Sequence, residues 1–169
     1  MKTLCRVLFV VVVLHLSGIT VLAGHTSGHG MDSKQPESVP ASASHHADVR
    51  KHNACPHCGM YREKFSQSRM LITYSNGFSV GVCSVRCAVI ELKASKTKIV
   101  KSVEVADFHT RNLISAENAF WVIGGSKKGV MTAAPKWAFK SRDAANTFIK
   151  SNGGTLATYK GVLSIVEKD

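Results

Sequence analysis

Residues 70–87 read MLITYSNGFSVGVCSVRC, and this stretch decides the predicted fold of the first half of the chain. Apolar and polar residues alternate on both sides of Asn76-Gly77, a dipeptide typical of a two-residue turn between antiparallel strands. A helical pattern then runs from Cys83 to about Ala94. The stretch therefore predicts a hairpin followed by a helix. The residues expected on one face of the hairpin are Met70, Ile72, Tyr74, Phe78, Val80 and Val82.

The second half of the chain repeats this order of elements. A strand at Ile99 to Val105 closes the first half, and the same succession then returns without sequence identity. The pattern predicts an α+β fold of two small strand–strand–helix–strand halves with antiparallel sheets. The elements predicted in the second half are strands at Ala119–Ile123 and Val130–Ala133, a helix from Ser141 to Gly153, and a final strand or hairpin within Thr155–Val166.

The N-terminal residues have the layout of a secretory signal peptide. Lys2 and Arg6 precede an apolar run, and small or branched residues lead up to a cleavage site after Ala23. We therefore predict a signal peptide over residues 1–23 and an exported, for example periplasmic, protein. The apolar run is short for a membrane span. An uncleaved N-terminus that tethers the chain to the membrane is the alternative.

Residues 24–52 are poor in large apolar side chains and are predicted to be a disordered linker. The linker is rich in histidine, a composition that can collect metal ions. The folded domain is predicted over residues 53–169, in halves of about 53–108 and 109–169. The possible metal ligands of the linker are His25, His29, Met31, His45, His46 and His52.

The chain is basic, with a net charge of +11 that falls to +9 when Lys2 and Arg6 leave with the signal (11 − 2). Export argues against nucleic acid as the partner of this charge, and the lysines are scattered rather than clustered. We expect a basic face that favours acidic partners. The lysines that could guide such docking are Lys127, Lys128, Lys136 and Lys140.

Four cysteines remain after the signal, in a CxxC pair and a CxxxC pair. Cys55 and Cys58 lie on a predicted turn, and Cys83 and Cys87 share one face at the start of a helix. Two such pairs separated by a hairpin can bind one ion through four thiolates in a treble-clef-like site, as in structural zinc sites. Two disulfides are the alternative in an oxidising compartment. A thiol–disulfide oxidoreductase is a further alternative, but no buried strand leads into the CxxC.

Two methionines bear on whether the predicted site binds copper or zinc. Met60 follows the CxxC directly, and Met131 lies on the corresponding hairpin of the second half. Thioether and thiolate sulfur favour Cu(I), whereas methionine also packs readily in cores. The candidate ligands are therefore Cys55, Cys58, Met60, Cys83, Cys87 and Met131, for Cu(I) or alternatively for Zn²⁺.

The segment CPHCGMY at 55–61 resembles the CxxCGM opening of NosL-type proteins, the accessory factors of nitrous oxide reductase. The stretch MTAAPKWAFKSRDAANTFIKSNGG at 131–154 is also similar to that family. The resemblance covers about residues 53–160. It implies two αβ halves, and a sulfur motif at Cys55, Cys58 and Met60 with Met131 in the second half.

By the same resemblance, the chain is a periplasmic Cu(I) metallochaperone and not an enzyme. It would deliver copper to an apo copper enzyme such as nitrous oxide reductase. Two features depart from the family: the chain lacks a lipid-bearing cysteine, and Cys83 and Cys87 resemble the CxxxC pair of TRASH-like metal-sensing modules. This second pair keeps open a structural zinc module with a protein-interaction role.

Overall fold

The structure is a computed structural model that describes residues 46–168. The predicted signal peptide and the linker up to residue 45 lie outside the described residues. Within residues 46–168, no helix is both long and apolar enough to span a membrane. The elements in chain order are α1 (Ala47–Lys51), β1 (Met70–Tyr74), β2 (Ser79–Val82), α2 (Val85–Ala94), β3 (Val100–Ala106), β4 (Leu113–Ser115), β5 (Phe120–Ile123), β6 (Lys136–Phe139), α3 (Arg142–Asn152), β7 (Thr155–Ala157) and α4 (Tyr159–Val166).

The α+β prediction is confirmed, because the strands form two antiparallel sheets with helices packed on them. The first sheet has the order β2-β1-β3-β4 and the second has the order β6-β5-β7. On β1 the predicted face is buried, with Met70, Ile72 and Tyr74 almost inaccessible to solvent. The two sheets meet where Asp107 forms a bridge with Ala138.

The hairpin of the first sheet differs from the prediction in its turn. Thr73 pairs with Ser79, and the amide of Tyr74 donates to the carbonyl of Phe78, which leaves a loop of three residues, 75–77. Gly77 has a φ of 84°, the left-handed position that such a loop needs. Phe78 lies just before β2 and is exposed, although its ring stacks on that of the buried Tyr74.

The return strand of the second sheet lies later than predicted, at β6 rather than at Val130–Ala133. Met131 has a φ of 56°, which is incompatible with an extended strand. The strand forms instead around Trp137 and Phe139, whose side chains enter the core. Ser141 caps α3 as predicted, because its side chain accepts a hydrogen bond from the amide of Ala144.

The predicted C-terminal strand is only partly correct. β7 covers three residues, and α4 follows it where strand or hairpin was expected. Thr158 caps this helix by accepting from the amide of Gly161. Val162 and Val166, at helical spacing, are buried against the core. Local capping and four-residue periodicity therefore prevail over β-branched composition.

The folded part begins before residue 53, because α1 occupies the end of the predicted disordered linker. Val49 is buried, and Asp48 pairs with two buried arginines, Arg62 and Arg69. The boundary between the sheets also falls later than 108/109, because β4 pairs with β3 in the first sheet.

Candidate metal centre

The first cysteine pair lies on a tight knuckle that precedes β1. An isolated bridge joins Ala54 to Tyr61, and inside it the amide of Cys55 donates to the carbonyl of Met60 over 2.9 Å. The amide of Gly59 donates to the carbonyl of Cys55 over 2.8 Å, and Gly59 has a φ of 73°. Gly59 therefore closes the knuckle in a left-handed conformation that glycine adopts without steric cost.

The second pair spans the junction of β2 and α2. Cys83 follows the last residue of β2, and Cys87 lies in the first turn of α2. Cys83 precedes the N-cap residue Ser84, and both sulfurs of this pair lie within 3.7 Å of the Cys58 sulfur on the knuckle. The order of knuckle, hairpin and helix start is the predicted treble-clef-like arrangement.

The four sulfurs form a single cluster. One ligand atom from each of Cys55, Cys58, Cys83 and Cys87 lies within 4.8 Å of all the others. Cys58 Sγ is 3.4 Å from Cys83 Sγ, and Cys87 Sγ is 3.7 Å from both. Four sulfurs bound at about 2.3 Å to one ion would stand about 3.8 Å apart. All four cysteines are free, so the structure does not contain the alternative pair of disulfides.

Burial differs among the four cysteines. Cys55, Cys83 and Cys87 are at most 1% exposed, whereas Cys58 is only partly buried. Hydrogen bonds from the Cys83 and Cys87 thiols hold the pKa of Cys55 far below its ordinary value. The same hydrogen bonds raise the pKa of Cys83 and bring that of Cys87 to about 12. The neighbouring thiols thus favour the thiolate form of Cys55.

A histidine inside the CxxC connects the knuckle to α2. His57 Nε2 lies 2.9 Å from Glu91 Oε2. The other oxygen of Glu91 accepts from Tyr74 Oη over 2.7 Å and from Ser95 Oγ over 2.9 Å. Burial works to raise the pKa of Glu91, but the hydrogen bonds from Tyr74, Ser95 and His57 outweigh it and lower that pKa. Glu91 therefore fixes the knuckle loop against the helix that carries Cys87.

A buried arginine links the segment after the knuckle to α1, β1 and β2. Arg62 is inaccessible to solvent and donates to the carbonyls of Val82, His52 and Met70 and to the carboxylate of Asp48. The Arg62 side chain crosses β2 at Gly81. A Cβ at Gly81 would lie 2.5 Å from the Arg62 guanidinium carbon and 2.6 Å from His52 Cβ.

The two methionines occupy different environments. Met60 is part of the knuckle and packs, half-buried, against the core beside the cysteines. Met131 lies on the loop between β5 and β6 and is 37% exposed. The structure thus brings together the four cysteines and places Met60 on their knuckle, whereas Met131 belongs to the second half. Their roles as ligands remain predictions.

Sequence reasoning missed His57, Glu91, Asp48 and Arg62 as parts of the site. The signal for His57 was available, since it stands inside the CxxC itself. The signal for Asp48 was hidden, because a short polar segment gives no indication that its carboxylate is buried.

Lys136, expected on a docking surface, is 5% exposed and its Nζ donates to Thr132 Oγ1 and the carbonyl of Ala134. It is therefore unavailable for docking.

The fold and the site define an α+β protein that gathers four cysteine sulfurs at the junction of a knuckle, a hairpin and a helix. A sequence profile of the NosL family matches residues 46–164. The chain belongs to the NosL family. This agrees with the resemblance stated above.

Among solved structures, the crystal structure of the copper chaperone NosL from Shewanella denitrificans is similar to this chain. The TM-score is 0.50 and the sequence identity is 24%, over 63% of this chain and 87% of that chain. At this identity the similarity concerns the fold. No curated protein matches the chain.

Proposed function

We propose that this chain is an exported Cu(I) chaperone that supplies copper for the assembly of a copper enzyme such as nitrous oxide reductase. Membership of the NosL family and the name of the solved copper chaperone support the copper assignment. The observation that carries the proposal is the cluster of four cysteine sulfurs beside Met60. Thiolate and thioether donors are soft, and thioether sulfur in particular favours Cu(I). In this role the chain binds and transfers an ion and catalyses no reaction.

The exposure of Cys58 indicates how the ion would be transferred. Three of the sulfurs are closed off from solvent, so a ligand from the partner meets Cys58 first. The incoming sulfur or nitrogen binds the ion before Cys58 leaves it, and the remaining thiols then release the ion in turn. Met60, which is half-buried on the same knuckle, supplies a neutral donor that can replace a departing thiolate.

A second function is favoured by the geometry of the sulfurs. The separations of 3.4 and 3.7 Å approach the edge of a Zn²⁺ tetrahedron, and three of the four cysteines are buried, as in closed structural sites. In this alternative the four thiolates bind Zn²⁺ permanently, and the function is that of a protein-interaction module.

An anaerobic competition titration separates the two functions. Purified full-length chain is titrated with Cu(I) and with Zn²⁺ against a chelator of known affinity. The chaperone proposal expects Cu(I) to displace Zn²⁺. A zinc ion that stays bound in excess Cu(I) overturns the proposal.

Variants of the two methionines sharpen this titration. Met60→Leu preserves volume, and Met131→Asn suits the left-handed backbone at that residue, so neither change should unfold the chain. If either methionine is a ligand, its variant should bind Cu(I) more weakly and Zn²⁺ unchanged, because thioether sulfur is a soft donor. Unchanged Cu(I) affinity in both variants would restrict the site to the cysteines.

Delivery and export need their own measurements. The copper-loaded chain is incubated with apo nitrous oxide reductase, and transfer is followed by the absorption of the reconstituted enzyme. Free Cu(I) at the same concentration, with excess chelator, is the control. N-terminal sequencing of the protein from fractionated cells tests cleavage after Ala23 and distinguishes a released protein from a membrane-tethered one.

A further inference from the structure

A small basic pocket lies at the junction of the two sheets, and none of the four cysteines lines it. Its volume is about 270 Å³. Three separate loops contribute to it: the loop before β1, the loop between β3 and β4, and the loop between β5 and β6. The residues that line it are Gln67, Phe108, Arg111, Lys127, Lys128 and Trp137.

Two buried donors of this pocket have no acceptor within the described part of the chain. Trp137 is 2% exposed, and its indole Nε1 makes no hydrogen bond there. Nη1 of Arg111 is likewise buried and unpartnered. Both side chains pack on one ring: the Phe108 centroid is 5.1 Å from that of Trp137 and 5.2 Å from Arg111 Cζ. Since buried donors are normally satisfied, two of them beside one ring indicate a missing acceptor.

The backbone places Arg111 in this position at a conformational cost. Its φ is 63°, in the left-handed region that arginine seldom adopts. The turn is fixed by Asp107, whose carboxylate accepts hydrogen bonds from the amide and hydroxyl of Thr110 and from the amide of Lys140. Asp107 does not line the pocket, although its charge acts on the Arg111 guanidinium and works to raise the pKa of that group. Strain that the surrounding contacts enforce is a feature of ligand-binding positions.

The charge of the pocket specifies its ligand. Arg111, Lys127 and Lys128 bring three cations to one small space, and none of the lining residues is acidic. The Arg111 guanidinium and the Trp137 indole line the same pocket, and their N–H groups are donors suited to the oxygens of a carboxylate. The lysines are exposed and can attract an acidic surface before contact.

The geometry points to a docking site in which this pocket binds a carboxylate side chain from an acidic segment of a partner protein. The inference goes beyond the proposed function, because it does not depend on which metal the cysteines bind. It also reduces the number of lysines expected to contact a partner, because Lys127 and Lys128 line the pocket whereas Lys136 is buried.

The two tryptophans of the chain provide the test. Trp121 Nε1 already donates to the carbonyl of Ala116 over 2.8 Å, so its signal serves as an internal control for that of Trp137. The indole N–H signals of the ¹⁵N-labelled full chain are followed by NMR during titration with a short blocked glutamate peptide. We expect a saturable shift of the Trp137 signal and none of the Trp121 signal. Equal shifts of both signals, or no shift, overturn the proposal.

Two further ligands identify the source of the negative charge. A blocked glutamine peptide of the same length is expected to leave the Trp137 signal unchanged. Inorganic phosphate is expected to bind more weakly than the glutamate peptide. Equal binding of the glutamine peptide would show that the pocket does not recognise the carboxylate. Equal or tighter binding of phosphate would show that the pocket binds a free oxyanion rather than an acidic partner. Either result overturns the proposal.

Variants connect the binding to the pocket. Arg111→Gln is expected to weaken the glutamate peptide by about tenfold, the loss of one charge-assisted contact. Because that change could disturb the strained turn, the double variant Lys127→Gln/Lys128→Gln tests the same pocket on an exposed loop. The matched control is Lys150→Gln/Lys160→Gln, which removes equal charge from exposed positions outside the pocket. Equal weakening in both double variants would assign the binding to general charge and overturn the proposal.

Discussion

The two sheets of this protein are held by different chemistry. The first packs around a buried Asp48–Arg62–Arg69 network and four cysteine sulfurs. The second packs around aromatic rings, with Phe108, Phe139 and Phe148 in mutual contact at centroid distances from 4.9 to 5.6 Å. Polar and thiol interactions depend on protons and metal ions, whereas aromatic packing depends on neither. The first sheet is therefore the part of the molecule whose stability the environment can change.

The largest expected effect comes from breaking the charge network of the first sheet. Asp48→Ala leaves two buried guanidinium groups without their carboxylate and should lower the free energy of unfolding by about 3–5 kcal/mol. Urea denaturation followed by circular dichroism measures it. The control is Asp143→Ala in the exposed first turn of α3, where about 0.3–1 kcal/mol is expected. Equal losses in the two variants would contradict the contrast between buried and exposed charge.

Metal binding should stabilise the first sheet more than the second. With free metal at a thousand times the dissociation constant, the gain is about 4 kcal/mol. Hydrogen exchange should show it as slower exchange in β1, β2 and α2 than in β5 and β6. Cys87→Ser, which removes one buried thiol, should abolish the gain. Uniform protection of both sheets would mean that the chain unfolds as one unit.

A pair of tryptophan variants tests the second sheet. Trp121→Phe leaves the carbonyl of Ala116 without its donor and should cost about 1–3 kcal/mol, with metal affinity unchanged. Trp137→Phe removes an indole N–H that has no acceptor among residues 46–168, so its cost should be smaller. Thermal unfolding in the presence and absence of metal measures both. A loss of metal affinity in Trp121→Phe would show that the two sheets are coupled.

The smallest effect expected near neutral pH is that of protonation. Burial works to raise the pKa of Asp48, but hydrogen bonds and charges from Arg69 and Arg62 prevail and lower it. A carboxylate with a lowered pKa contributes stability above its unfolded value, and the contribution is lost as pH falls through the folded value. Stability should therefore hold from pH 7 to about pH 4 and fall below it. In Asp48→Asn this fall should be shallower; an unchanged acid profile would exclude Asp48 as its source.

Much of the fold could be predicted from the sequence where periodicity and local chemistry agree. Met70, Ile72 and Tyr74 alternate cleanly, and Ser141 and Gly153 mark both ends of α3. The prediction of a strand at Val130–Ala133 is wrong because apolar composition there does not reveal the left-handed backbone of Met131. Helix α1 could not be predicted, because a short helix held by distant arginines carries no local signal.

The convergence of the cysteines was predictable because the spacing of each pair dictates a shared face. The sequence did not predict which sulfur remains accessible, because the partial exposure of Cys58 depends on how the knuckle packs against α2 through His57 and Glu91. The pocket at Arg111 was equally hidden. Its two unpartnered donors come from a loop and from strand β6, which are separated in sequence, and nothing local distinguishes Trp137 from Trp121.

Gly81 limits how this scaffold can be redesigned. Its backbone φ is ordinary, so a side chain is excluded by space alone: the volume is filled by the Arg62 guanidinium, held by several hydrogen bonds, and by His52 Cβ. Replacing it with alanine would expel the arginine and separate α1 from the knuckle. A designer can graft a different loop onto the metal knuckle only by keeping glycine here or by replacing Arg62, His52 and α1 together.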